Sequence, residues 1–148
     1  MANYTCAVRT NYFKVRDPEA FRVFMQRVYG EEDHVSLWEQ MDNSGVLRFG
    51  FGSYGGIGGL RNEPCDDDDE YDDDDDTYDA FIDGLQAHIA EDDACLIFEA
   101  GHEKLRYVTG SCTIVTAKET RHLDIADMGV RTVRDELLGP EWTTKTYY

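Results

Sequence analysis

The alternation of apolar and polar residues divides the chain into short periodic segments. "YTCAVRTNYFKV", residues 4–15, is rich in β-branched and aromatic residues and predicts a first strand. It runs into "DPEAF", a helix start. Asp17 suits the N-cap, Pro18 the first helical position and Glu19 the positive end of the helix dipole. Phe21, Phe24, Met25 and Val28 follow at i, i+3, i+4 and i+7, one apolar face, and Gly30 marks the helix end. "VSLWEQM" (35–41) and "VLRFGFGSYGGI" (46–57) predict two strands joined by the turn "DNSG".

Thr77 opens a second helix, with Tyr78, Phe81, Leu85 and Ile89 as its stripe. "ACLIFEA" (94–100) and "LRYVTGSCTIVT" (105–116) predict two more strands, with a turn near Gly101 and His102. A last helix is predicted from Asp124 to Gly139-Pro140, with Val130, Val133 and Leu137 at helical spacing. The tail "EWTTKTYY" reads as a short strand or an ordered extension.

The two halves match when placed one above the other. At an offset of 60, Asp17 meets Thr77, Ala20-Phe21 meets Ala80-Phe81, Gln26 meets Gln86, and Leu37-Trp38-Glu39 meets Ile97-Phe98-Glu99. Glu31, Glu32 and Asp33 meet Glu91, Asp92 and Asp93. After a turn two residues shorter, "LRFGFGS" meets "LRYVTGS". The expected fold is therefore one α+β domain over 1–148, built on a duplicated α-β-β unit in the order β-α-β-β-α-β-β-α. Repeat one covers about 17–57, an acidic connector 63–76, repeat two about 77–117, and a C-terminal helix and tail 122–148. A mainly antiparallel sheet with helices packed on it, a ferredoxin-like relative, satisfies that order.

Charge changes the picture. The 148 residues carry 31 acids against 14 bases, a net of −17. Ten of the acids stand between the halves as Asp66, Asp67, Asp68, Asp69, Glu70, Asp72, Asp73, Asp74, Asp75 and Asp76, interrupted only by Tyr71. Without them 21 acids still face 14 bases, a net of −7, so the remainder is acidic too. Phosphate binding needs Lys and Arg, so direct binding of nucleic acid or an anionic membrane is not expected; cations and basic proteins are the natural partners. No apolar stretch reaches membrane-span length and no apolar signal core opens the chain, which reads as cytoplasmic. Cys6, Cys65, Cys95 and Cys112 are scattered, with no Cys-x-x-Cys pair; neither a disulfide framework nor a cysteine zinc site is expected, and three of the four sit in apolar strand-like runs.

Three chemical motifs bear on function. Gly50-x-Gly52-x-x-Gly55 has dinucleotide spacing, but no helix start follows to receive a pyrophosphate, so the glycines are expected to allow a bulge or a close approach. A calcium loop from Asp72 places Thr77 where the turn needs Gly and Asp83 where it needs bidentate Glu, so no metal site or cofactor is expected. His34, His88, His102 and His122 do not cluster by spacing, and no catalytic constellation is legible.

The acidic run and the turns at 31–33 and 91–93 remain as the candidate partner-binding residues. Both turns follow predicted helix C-termini, where the dipole disfavours negative charge, so local stability does not account for them. An extended chain advances about 3.3–3.6 Å per residue, close to the 3.4 Å phosphate spacing of a DNA strand. Tyr71 and Tyr78 are placed to stack in a groove that normally takes bases.

The opening "MANYTCAVRTNYFKV", the segment "GFGSYG" and the ending "PEWTTKTYY" resemble small acidic proteins encoded on conjugative and other mobile elements of anaerobic bacteria. The resemblance runs over the whole chain and carries no catalytic motif. It implies inhibition of a host defence nuclease, a CRISPR effector or restriction enzyme, in the manner of anti-CRISPR or anti-restriction proteins that occupy a DNA-binding surface. The expected function is thus a non-enzymatic DNA mimic; the alternatives are a divalent-metal-binding accessory protein or an enzyme of unidentified reaction.

Overall fold

The structure, a computed structural model, describes residues 4–64 and 77–144. The acidic run 66–76 lies outside the described residues.

Strand β1 (Thr5–Thr10) buries Cys6, Val8 and Thr10 and exposes the residues between them. Its predicted continuation to Val15 does not form one strand: Phe13 and Val15 make isolated bridges to Phe49 and Ile89. Helix α1 (Pro18–Met25) is capped as expected, the Asp17 carboxylate accepting from the Glu19 and Ala20 amides. It ends at Met25, before Gly30. Val28–Gly30 is strand β2, paired antiparallel with a later strand, and Val28 stays buried by pairing rather than by helical periodicity. A β-branched and an aromatic residue side by side favour that choice.

Strands β3 (Ser36–Met41) and β4 (Leu47–Tyr54) form the predicted hairpin. Its turn is closed by Asp42, whose carboxylate accepts from the Ser44 and Val46 amides. Strand β5 (Ile57–Leu60) completes the ribbon with β2. Helix α2 (Thr77–His88) buries Phe81 and Leu85, with Ile89 just beyond it. Strands β6 (Ala94–Glu103) and β7 (Tyr107–Thr116) form a long hairpin. The expected turn at Gly101 and His102 is displaced, because both residues pair in the ladder with Thr109 and Val108. The chain reverses instead around Lys104, at φ 48°. Strand β8 (Thr120–Asp124) was not expected; it ends at Asp124, which caps helix α3 (Ile125–Thr132) through the Ala126 and Asp127 amides. A single π-helical turn, Val133–Leu137, follows.

Six strands form one sheet in the order β3-β4-β1-β6-β7-β8, every neighbouring pair antiparallel. Helices α1 and α2 cover one face. Phe21 and Phe24 of α1 and Phe81 and Leu85 of α2 pack with Phe49, Phe51, Val8, Cys95, Ile97 and Val115 of the strands in one core. Helix α3 lies on the other face, its Ile125 against Gly110 of β7. The architecture is α+β, a mainly antiparallel six-stranded sheet with three helices. Among the described residues no helix is long and apolar enough to cross a membrane. Cys6 and Cys95 are buried and Cys112 half-buried, all as free thiols.

Candidate functional site

The two acidic turns differ in what holds them. Turn 91–93 follows α2 as predicted, and the tertiary structure gives two of its acids, Asp92 and Asp93, structural partners. One Asp93 carboxylate oxygen accepts from the Lys14 amide at 2.8 Å and from the Arg48 guanidinium at 3.2 Å, and the other from the Ala94 amide at 2.8 Å. Asp92 pairs with Lys14 Nζ at 2.5 Å, which holds its carboxyl below the usual range. These acids fasten the segment after β1 and the start of β6 to β4. Replacing Asp93 with alanine takes the acceptor from two half-buried backbone amides, leaves Arg48 with Asp42 alone among the described residues, and should destabilise the fold by about 1–3 kcal/mol. A urea midpoint unchanged with respect to the native chain would contradict this role.

Turn 31–33 follows the short strand β2 rather than a helix, so the dipole argument does not apply to it. Its Glu31 amide donates to Gly56 O at 3.1 Å, and Glu32 packs over Gly55, where an added Cβ would lie 2.6 Å from the Glu32 Cβ. Gly55 and Gly56 have φ of 91° and 98°, which glycine adopts freely. The glycines of Gly50-x-Gly52-x-x-Gly55 thus serve close approach: Gly50 lies under Tyr12, Gly52 under Trp38 and Gly55 under Glu32. Strand β5, not a helix, follows them.

The structure does not bring the two turns together. It brings Glu31 to Glu99, which stands six residues, about 20 Å, along β6 from Asp93. Both carboxylates line a cavity of about 260 Å³ with Val8, Ile57 and Ile97 as its apolar part and Tyr78, Ser111, Thr113 and His122 as its other polar residues. Register builds its floor. Val8, Glu99 and Ser111 lie side by side across β1, β6 and β7, and Ile97, Thr113 and His122 across β6, β7 and β8. Thr113 Oγ1 and His122 Nδ1 are 3.0 Å apart. Tyr78 hangs over the cavity from the first turn of α2, one residue beyond Thr77, whose hydroxyl is 2.7 Å from that of Tyr29. The acidic run therefore ends, in sequence, two residues before Tyr78 in the wall of this cavity.

Its electrostatics are negative. Burial, then Glu99 and Glu32, push the Glu31 carboxyl up. Burial, then Glu99, push the Tyr78 phenol up. Burial, then Glu99, Glu31 and Glu32, raise the nearby Cys6 thiol to about 11. No Lys or Arg is among the described lining residues. A cavity with two carboxylates, an aromatic ring and an apolar floor suits an organic cation with an apolar stem, such as a lysine or arginine side chain. Among the described residues no three His, Cys, Asp or Glu side chains are arranged to hold a metal ion.

A carboxyl whose pKa is raised on folding binds protons more tightly in the native state, so its contribution falls as pH climbs from the ordinary carboxylate range through the raised value. Glu31→Gln removes that penalty. The stability gain of the variant over the native chain should be larger at pH 7 than at pH 4, read from urea unfolding at both; a gain independent of pH would place Glu31 in ordinary solvent.

Of the sequence candidates, Glu31 lines the cavity, Glu32 packs on Gly55 beside it, Asp33 borders a different cavity, Glu91, Asp92 and Asp93 stand at the other end of β6, and residues 66–76 lie outside the described residues. Glu99, Ser111, Thr113 and His122 were not anticipated. Strand alternation held the signal: in "ACLIFEA", Cys95 and Ile97 face the core, and Glu99 has the same parity. Compared with protein-family models, with curated proteins and with solved structures, the chain matches none.

Proposed function

We propose that this protein is an acidic binding module that occupies the basic nucleic-acid-binding surface of a partner protein, as a DNA-mimic-like inhibitor of a defence nuclease such as a CRISPR effector or a restriction enzyme. The observation that carries the reading is the adjacency of two acidic features. A cavity lined by Glu31 and Glu99, without Lys or Arg among its described lining residues, stands at the first turn of α2, where the ten-carboxylate run enters. The run supplies long-range attraction and the cavity a seat for one basic side chain of the partner. Electrostatic attraction of this kind raises association rates and weakens steeply with salt.

The test is capture of a partner from lysate by the native chain, followed by competition. The captured protein should bind duplex DNA or RNA, lose that binding as this chain is added, and be held less tightly by the Glu31→Gln/Glu99→Gln variant. A captured partner that binds nucleic acid and this chain at the same time rules out the mimicry.

The duplicated unit belongs to the same reading. Hairpins β3-β4 and β6-β7 each follow a helix and stand on opposite sides of β1. Within β1-α1-β3-β4-α2-β6 the strand order β3-β4-β1-β6 is that of a split β-α-β pair, which supports a ferredoxin-like relationship. The ribbon β2-β5 and strand β8 would then be additions to a repeated α-β-β frame.

A further inference from the structure

The sheet face opposite α1 and α2 has a different character from the rest of this acidic chain. One row across it reads Ser36, Gly52, Arg9, Phe98, Cys112 and Leu123, and the neighbouring row Tyr54, Ala7, Ala100 and Gly110. Neither row contains an acid. Ile125 of α3 covers Gly110, while toward β1 and β4 small residues make the floor and bulky ones rise around it: Tyr54 is 75 % exposed and Phe98 45 %. At the β3 end the floor deepens into a cavity of about 390 Å³, with Ala7 and Gly52 at its base, Trp38 and Tyr54 as walls and Arg9 within. That volume falls in the range of small-molecule sites.

Arg9, like Arg22, Arg61 and Arg106, is set over an aromatic ring. Its guanidinium carbon lies 4.9 Å from the centre of the Trp38 ring, and among the described residues it makes no ion pair. Trp38 is fixed in turn, because Gly52 lets the indole lie where any Cβ would come within 2.9 Å of it. A guanidinium stacked on an indole keeps its N–H edge free in the ring plane, the geometry that grips a carboxylate with two parallel hydrogen bonds. Asp33 also borders the cavity, but its Oδ1 accepts from the His34 amide at 2.9 Å and lies 3.1 Å from His34 Nδ1.

We infer that this cavity is a binding site for a small planar aromatic carboxylate, its carboxylate on Arg9 and its ring against Tyr54 and Trp38. The net charge of −17 opposes polyanions at long range, so a nucleic-acid strand is not the occupant; a single negative charge meets Arg9 within a screening length and pays little of that repulsion. The site lies on the face of the sheet away from the Glu31–Glu99 cavity and does not depend on it.

The probe is 2-naphthoate, with the uncharged 2-naphthylmethanol as its comparison, followed through the indole N–H signals of Trp38 and Trp142 in nitrogen-15-labelled protein. Trp142→Phe assigns the two. Naphthoate should shift the Trp38 signal saturably, with a dissociation constant near or below about 1 mM, while Trp142 stays in place. The alcohol should bind about tenfold more weakly, and Arg9→Met should bring naphthoate to the level of the alcohol. Tyr54→Ala, at an exposed position that the fold does not need, should weaken both ligands together. Absence of a saturable Trp38 shift, equal affinity for acid and alcohol, or an Arg9→Met variant that binds as the native chain does would each overturn the assignment.

Discussion

Replacing Phe21 with alanine is expected to remove about 3–5 kcal/mol of stability, the range for deleting a buried aromatic side chain. The whole stability of a domain this size is about 5–15 kcal/mol, so the variant should be close to unfolded at room temperature. Phe21 is fully buried on α1, where both helices and β4 meet in the core. Its ring meets Phe49 of β4 with centroids 5.0 Å apart, Phe13 at 5.7 Å, edge to face in both cases, and His88 of α2 at 5.9 Å. It stacks on Phe24, which stacks on Phe81. Truncation therefore opens a void between both helices and the sheet, bounded by rigid rings that cannot collapse into it. Val23, two residues along and 59 % exposed, is the control: Val23→Ala should stay within about 0.5 kcal/mol of the native chain. Urea unfolding followed by circular dichroism checks both, and a loss below about 1 kcal/mol for Phe21→Ala would refute the packing role.

The second large effect concerns binding. Exchanging the ten acids among residues 66–76 for Ser and Asn lowers the net charge from −17 to −7. The run lies outside the eight strands and three helices of the described residues, so the far-ultraviolet spectrum should be retained. Association with a captured basic partner should nevertheless weaken by orders of magnitude at low salt. Most of the loss should appear in the association rate, because charges at the rim of a contact act on encounter more than on dissociation. The native chain should bind more weakly as salt rises, and the substituted chain should show a much flatter dependence. If the two chains share one salt dependence and one affinity, the run is not what the partner reads.

Much of the frame was legible because it rests on local chemistry. Asp17-Pro18-Glu19 is a helix start whatever surrounds it, "DNSG" closes a hairpin through Asp42's own reach to the next amides, and Phe21, Phe24 and Met25 keep one face. Where the reading failed, distant partners decided. Val28 continues the helical spacing of α1, yet β5 claims it for a ribbon thirty residues away in sequence. Gly101 looks like a turn residue, but the Tyr4 hydroxyl and the Cys6 side chain press against it, and it stays in the ladder because it alone leaves them room. Asp93 looks like a solvated turn acid, and its meaning comes from Lys14 and Arg48.

The sequence by itself determined the class of this protein: an α+β chain with apolar faces of fixed period, a pronounced negative charge and no local catalytic motif. Those properties depend on composition and on neighbours a few residues apart. Only the tertiary structure decided where the charge matters. The register of β1, β6, β7 and β8 sets Glu99 beside Ser111, one row from Thr113 and His122, and the Gly55-Gly56 turn lets Glu31 close over them. Pairing between strands a hundred residues apart is written in no local pattern, because a ladder accepts any backbone and the choice of neighbour is settled by the packing of the whole core.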